Sequence, residues 1–262
     1  NIEFHTKVNN FKDIDQVRIV PRVGYYVIEV VYTIPDKQLK IDNKKYGSID
    51  IGLNNLATIT FNDGSKPLIF KGRPLKSINQ YFNKKKSDIQ SKLEKINKVK
   101  KSKRINKLNL KRTNKINDYL HKTSKKLVNH LVSNNINTLV IGKNDNWKQD
   151  INIGRVNNQN FVQIPHYKFI EMLKYKCKIE GINVILQEES YTSKCSFLDN
   201  EDVKKQQNYL GKRIKRGLFK TSTGKLINAD VNGSYNIMKK AIPDVFKDGI
   251  EGLSVNPIKI NI

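Results

Sequence analysis

The sequence predicts an α/β fold, a mixed sheet covered by helices on both faces. Short β-branched runs alternate with helical patterns along most of the 262 residues, and such alternation builds a sheet with helical covers. A lysine-rich helical stretch interrupts the strands at about 73–134. Two acidic motifs, GSIDIGLNNLATIT around Asp50 and LINADVNGSYNIMKKA around Asp230, sit at element ends 180 residues apart.

The elements follow in order. Residues 1 to about 40 alternate in strand fashion, and PRVG at 21–24 turns one β-rich run into the next, a hairpin of a small β domain. YGSIDIGL, LATITF and PLIFKG, within 46–72, form a three-stranded meander with Asn-Asp-Gly at 62–64 joining the last two. In the helical stretch Ile89, Leu93 and Ile96, then Ile116, Leu120, Leu127, Val128 and Leu131, recur at helical spacing, so one face packs and the other is positive. NTLVIG at 137–142 is a buried-type strand, followed by a polar loop carrying the sole tryptophan, Trp147. A helix over about 165–180 starts after Pro165 and stops at Gly181, and the strand INVILQEES succeeds it. Residues 191–228 are polar, basic and irregular, and NADVNGSYNIMKKAI forms the helix carrying Asp230. The order strand, strand, strand, helices, strand, helix, strand, helix is that of an RNase H-like domain, with its chemistry expected at one end of the central strands.

Charge names the partner class. Lys and Arg number 49 against 24 Asp and Glu, a net +25, which calls for a polyanion, nucleic acid above all. Residues 71–130 hold 20 Lys and Arg against 3 Asp and Glu, a surplus of 17 in one stretch. No apolar run of about 18 residues, signal peptide or lipidation motif is present, so the expected location is cytoplasmic, or nuclear in a eukaryote, and not secreted. Cys177 and Cys195 share no C-x-x-C spacing, which excludes a disulfide framework or a four-cysteine zinc site within the chain. The chain opens at Asn1 in mid-pattern, as a fragment of a longer protein would.

The carboxylates suggest the chemistry. Asp50 ends a strand in Asp-x-Gly, where Gly52 is expected to let a phosphate backbone come close, and Asp230 opens a helix. Two carboxylates brought together by folding can hold a divalent metal against a scissile phosphate. Glu188 and Glu189 end the strand INVILQEES, and by themselves read first as charges solvating a strand end.

IDIGLNNLATI, INDYLHKTSKKLV, FVQIPHYKFIEMLKYKCKIEGINV, ESYTSKCS and NADVNGSYNI, spanning 49–237, together resemble the transposon-encoded TnpB/OrfB RNA-guided nucleases. The resemblance implies a RuvC-like nuclease domain over 46–262, with a basic helical insertion at 73–134, preceded at 1–45 by the last strands of a β-barrel wedge. It implies an RNA-guided DNA endonuclease, with guide RNA and target DNA as partners and no membrane or small-molecule substrate. Mg²⁺ or Mn²⁺ would be held by Asp50, Glu189 and Asp230 as catalytic and metal ligands, in two-metal phosphodiester hydrolysis. The alternative is a nuclease-inactive nucleic-acid-binding remnant or regulator of the same family. A DNA-strand transposase lacks support, since no His-hydrophobic-His motif with a partner tyrosine is present.

Three departures from the family pattern matter. Of the four zinc-ribbon cysteines only Cys195 remains, so no zinc is expected, and 196–228 must hold its shape by packing or by nucleic-acid contact. Gly142 stands where many members carry the middle glutamate; the x-Tyr-Thr-Ser context implies Glu189 as a relocated ligand, with Glu188 in reserve. The third is length: only the last strands of the barrel wedge are expected, over residues 1 to about 45. Nucleic-acid contacts are expected from Lys84, Lys85, Lys86, Lys100, Lys101, Lys103, Arg104, Lys111, Arg112, Lys115, Lys125, Lys194 and Asn232. Asn232 and Asn236 are read equally as supports of the Asp230 loop or as packing residues, His121 as a structural histidine beside the sheet, and Trp147 and Tyr191 as candidate stacking residues.

Overall fold

A six-stranded sheet organises the chain, seen in a computed structural model that describes residues 13–22, 24–35, 37–97, 102–144 and 163–262. The first two strands, β1 (Ile14–Arg22) and β2 (Tyr25–Tyr32), pair with each other alone as an antiparallel ribbon. The meander forms as the pattern predicts: β3 (Tyr46–Ile51), β4 (Asn55–Phe61) and β5 (Leu68–Lys71), each antiparallel to the next. The basic stretch folds as two helices, α1 (Arg73–Asn97) and α2 (Lys103–Ser133), and Ser102 caps the second by accepting the Ile105 amide. Then come β6 (Thr138–Gly142), α3 (His166–Ile179) and β7 (Asn183–Gln187). The sheet order is β5-β4-β3-β6-β7, with β3, β6 and β7 mutually parallel, so their carboxyl ends share one edge. A strand that the periodicity did not reveal, β11 (Ile258–Ile260), adds parallel to β5. Three residues are too short to show a period.

Residues 191–228 are not wholly irregular. They contain β8 (Lys212–Lys215), β9 (Leu218–Lys220) and β10 (Leu226–Asn228), a small antiparallel sheet that leads into α4 (Ala229–Ala241). All four residues of β8 are exposed, so no apolar alternation marked it.

Strand pleating decides which side chain meets which cover. In β3 the odd positions Ile49 and Ile51 join the core beneath α2 and α3, with Leu120, Leu127, Leu131 and Phe169. The even positions face α4, where the Ser234 hydroxyl donates to the Ser48 carbonyl at 2.7 Å and lies 3.0 Å from the Thr60 hydroxyl. A second core joins α4 to the small sheet: Phe197 stacks on Tyr235 at 4.4 Å between ring centroids, and Phe246 meets both rings edge-on. Glu201 secures the same segment by accepting the Ser196 and Leu210 amides. Among the described residues no helix is long and apolar enough to cross a membrane.

Phe197 is buried at the centre of this second core. Phe197→Ala is expected to lower the urea-unfolding free energy by about 3–5 kcal/mol, since both the ring stack and its volume are lost; a loss below about 1 kcal/mol would show that the small sheet is not anchored there.

Candidate active site

Register brings the acidic positions together. Ile49 pairs with Ile141 across β3 and β6, and Gly142 pairs with Gln187 across β6 and β7, so Asp50, Gly142 and the residues after Gln187 stand along one edge. Such an edge, at the carboxyl ends of parallel strands, is where open α/β sheets place ligands. Asp50 faces α4, whose Gly233 permits the approach: a Cβ there would lie 2.8 Å from Asp50 Oδ2. Asp230 occupies the first turn of the same helix, and Asn228 caps it by accepting the Asp230 and Val231 amides at 3.0 and 3.2 Å.

Each carboxylate has a distinct environment. Asp50 has protein crowded around it, and burial, then the Asp230 and Glu189 charges, hold its carboxyl well above the ordinary aspartate range, against the opposing pull of Arg213. Asp230 is restrained on both oxygens: Asn55 Nδ2 donates to Oδ2 at 2.6 Å, and Arg213 stands 3.4 Å from Oδ1. Glu189 accepts from Asn144 at 2.9 Å, and burial, with Glu188 adding to it, pushes its carboxyl up to about 7.

The two adjacent glutamates part company here. Glu188 is exposed and turned to Lys240 at 2.6 Å and to the Ser190 amide and hydroxyl. Burial works against its charge, but those hydrogen bonds outweigh it and hold Glu188 below the ordinary range. Glu189 turns the other way, into the space above Gly142. A Cβ at Gly142 would stand 2.6 Å from Glu189 Oε2 and 2.6 Å from Ile237 Cδ1. A side chain at 142 and a glutamate reaching in from 189 therefore compete for one volume.

The donor set suits a hard divalent cation: three carboxylates share an edge, and one of them, Asp50, is made costly to ionise by the other two. Among the described residues no three His, Cys, Asp or Glu side chains already close into a group that could hold a metal ion.

Several expectations change. Gly52 serves its own turn rather than a ligand, because a Cβ there would lie 2.8 Å from the Asn55 carbonyl oxygen. Asn232 is no nucleic-acid contact: it is fully buried, with Oδ1 accepting the Phe197 amide and Nδ2 donating to the Cys195 carbonyl. Asn236 joins it by donating to the Thr192 and Cys195 carbonyls, so both asparagines fasten the 192–197 loop to α4. Arg112 is half-buried, with Nε donating to Asn79 and Nη2 to the Gln163 carbonyl, so part of its donor capacity serves packing. His121 is exposed on α2 near Lys176 and Lys168, not beside the sheet. Lys84, Lys85, Lys103, Arg104, Lys111, Lys115, Lys125 and Lys194 are exposed and Lys86 is half-exposed; Lys125 lies 3.9 Å from Glu180 and Lys194 lies over the Tyr209 ring. Lys100, Lys101 and Trp147 lie outside the described residues.

Sequence reasoning missed Asn55, Asn144, Arg213 and His166. Only the spacing of Asn55 from Asp50 could have marked it. His166, buried at the start of α3, meets the Gly52 carbonyl through Nε2 at 3.2 Å and so braces the turn behind Asp50.

Comparison with known proteins bears on these findings. Residues 29–148 match the sequence model of the OrfB family of IS605-type elements, described as "Probable transposase", and residues 166–237 match that of the Cas12f1-like TNB domain. A TnpB-like protein of Methanocaldococcus jannaschii is 30% identical over 204 residues, covering 74% of this chain and 68% of that protein. A TnpB-like protein of Acidianus two-tailed virus is 27% identical over 225 residues, covering 84% of this chain and 45% of that protein. The chain thus spans less than half the length of the viral relative. Two solved structures share the fold: a CRISPR-Cas12f ternary complex, at TM-score 0.57 and 14% identity, covering 84% of this chain and 44% of that one, and a Cas12f1–sgRNA–target DNA complex, at TM-score 0.54 and 15% identity, covering 87% and 56%.

Two outcomes test the geometry. A carboxyl raised from 4.5 to about 7 favours the protonated folded form, so the stability it contributes is complete below about pH 4.5 and lost as pH rises through about 7. In EDTA the thermal midpoint should fall over that window, and Glu189→Gln should remove part of the fall, on the order of 2–3 kcal/mol; an unchanged slope would place Glu189 in solvent. Gly142→Ala should displace Glu189 and reproduce the pH profile of Glu189→Gln, whereas Glu188→Gln should not.

Proposed function

Because the chain belongs to the TnpB/OrfB family, we propose that it carries the nuclease part of an RNA-guided DNA endonuclease, with a RuvC-like site at the carboxyl edge of β3, β6 and β7. The observation that carries this reading is Asp50, half-buried at that edge, its carboxyl raised by burial and by the neighbouring Asp230 and Glu189 charges. The strand order supports it, since a β5-β4-β3-β6-β7 sheet with β4 antiparallel to its neighbours is the RNase H-like arrangement expected from the sequence.

Asp50, Asp230 and Glu189 would hold Mg²⁺ or Mn²⁺, the metal supplying an activated water and neutralising charge on the scissile phosphate in two-metal hydrolysis. The remaining roles belong to the chain's own groups. Asn55 and the Asn228 cap fix the Asp230 carboxylate, and Asn144 fixes Glu189. Arg213, 3.4 Å from Asp230, is placed to meet a phosphate oxygen brought to the same edge. The exposed lysines of α1 and α2 grip the backbone of a guide RNA and target DNA, leaving sequence choice to base pairing.

One observation favours the second reading, a nuclease-inactive nucleic-acid binder: the carboxylates do not close into a metal-holding group among the described residues. Cleavage separates the two. With the full-length protein, its cognate RNA and Mg²⁺, Asp50→Ala and Asp230→Ala should each lower the rate by roughly a hundredfold or more while RNA binding persists. Undiminished cleavage would sink the site assignment; no cleavage by the unsubstituted protein, with binding intact, would establish the binder. Asn55→Ala should cost about 10–100-fold in rate or in Mg²⁺ affinity, as expected of a group that orients a ligand.

A further inference from the structure

Between α1 and α2 lies a cavity of about 270 Å³ lined by Ser77, Ile78, Tyr81, Phe82, Leu108, Lys111, Arg112 and Lys115. Its lining follows from helical spacing. Ile78, Tyr81 and Phe82 fall at i, i+3 and i+4 on α1, while Leu108, Lys111, Arg112 and Lys115 fall at i, i+3, i+4 and i+7 on α2, so one stripe of each helix faces the other. The floor is apolar, and the rim is cationic with no acid in the lining among the described residues. Tyr81 is 60% exposed, a large aromatic ring left at the mouth. Arg112 stands over the Phe82 ring, 5.0 Å from its centroid, and donates to Asn79 and to the Gln163 carbonyl.

From these observations we propose that the α1–α2 cavity captures one unpaired nucleobase of a DNA or RNA strand. The base lies against Tyr81 and the Ile78–Phe82–Leu108 floor, and its flanking phosphates meet Lys111 and Lys115. The chemistry fits both halves of a nucleotide: an aromatic and aliphatic slot accepts any base by its faces, and uncompensated cations accept the backbone. A 270 Å³ volume has room for a purine but not for a duplex. The inference rests on the reading that the chain handles nucleic acid, but not on catalysis.

The test measures binding of mixed-sequence single-stranded 20-mers, as DNA and as RNA, each intact or carrying abasic sites, with 2-aminopurine as a reporter. The unsubstituted protein should bind the intact strands more tightly than the abasic ones and change the 2-aminopurine fluorescence. Tyr81→Ala should weaken the intact strands roughly tenfold and erase the preference over abasic strands, while Tyr81→Trp retains both. Lys115→Ala should weaken intact and abasic strands alike and reduce the salt slope by about one. Leu108→Trp, which fills the cavity, should abolish the fluorescence change, and circular dichroism confirms that each variant is folded. A preference confined to one sugar identifies the strand. Equal binding of intact and abasic strands by the unsubstituted protein, or unchanged discrimination in Tyr81→Ala, overturns the proposal and leaves nuclease function to the Asp50→Ala experiment. Base discrimination that survives in a protein without cleavage upholds the cavity and overturns the nuclease reading alone.

Discussion

Close contact between α4 and β3 is the constraint on which the rest of this architecture depends. Gly233 lacks the Cβ that would collide with Asp50, and Ser234 converts the contact into hydrogen bonds with Ser48 and Thr60. A helix faced with larger residues would ride higher on the sheet, because packed interiors leave no slack for an extra methyl group. The Asp230 carboxylate would then lift away from Asp50, and the amide of Asn55 could not span the gap that it closes at 2.6 Å.

That closeness has an electrostatic consequence. Burial, with the Asp230 and Glu189 charges beside it, holds Asp50 above its ordinary range, and burial, with the Glu188 charge, does the same for Glu189. The same chain carries a formal +25, and many of its exposed lysines, among them Lys84, Lys85, Lys103, Lys111, Lys115 and Lys125, stand on α1 and α2. The protein thus separates a broad positive surface, suited to a polyanion's backbone, from a compact acidic spot suited to a hard cation. Arg213 lies at the boundary between the two.

The segment between β7 and α4 shows how a loop-rich region keeps its shape by side-chain chemistry. Asn232 and Asn236 bind three backbone groups of the 192–197 turn, Glu201 gathers two amides, Asp199 accepts from Ser222, and Phe197 and Phe219 supply the apolar centre. Buried hydrogen bonds of this kind rigidify a loop, since releasing any one leaves a desolvated donor or acceptor. The 191–228 stretch looked irregular in sequence because its strands are three or four residues long and its ties are polar, and neither feature produces a hydrophobic period.

By itself the sequence determined the strands β3 to β7, the helical nature of 73–134 and the Asp50 and Asp230 positions, because hydrophobic periodicity and Asp-x-Gly punctuation are local signals. It also determined the family, through five short motifs in order. Tertiary structure alone decided three things. It set where the two glutamates point, the sequence having named Glu189 and held Glu188 in reserve: neighbouring residues at a strand end point opposite ways, Glu189 into the gap above Gly142 and Glu188 to Lys240. It turned Asn232 inward to the 192–197 loop, and it recruited Asn55, Asn144 and Arg213 to the carboxylates. Each of these joins residues 17 to 175 positions apart, and a contact between distant residues depends on how closely the helices and sheet can approach, which no local pattern records.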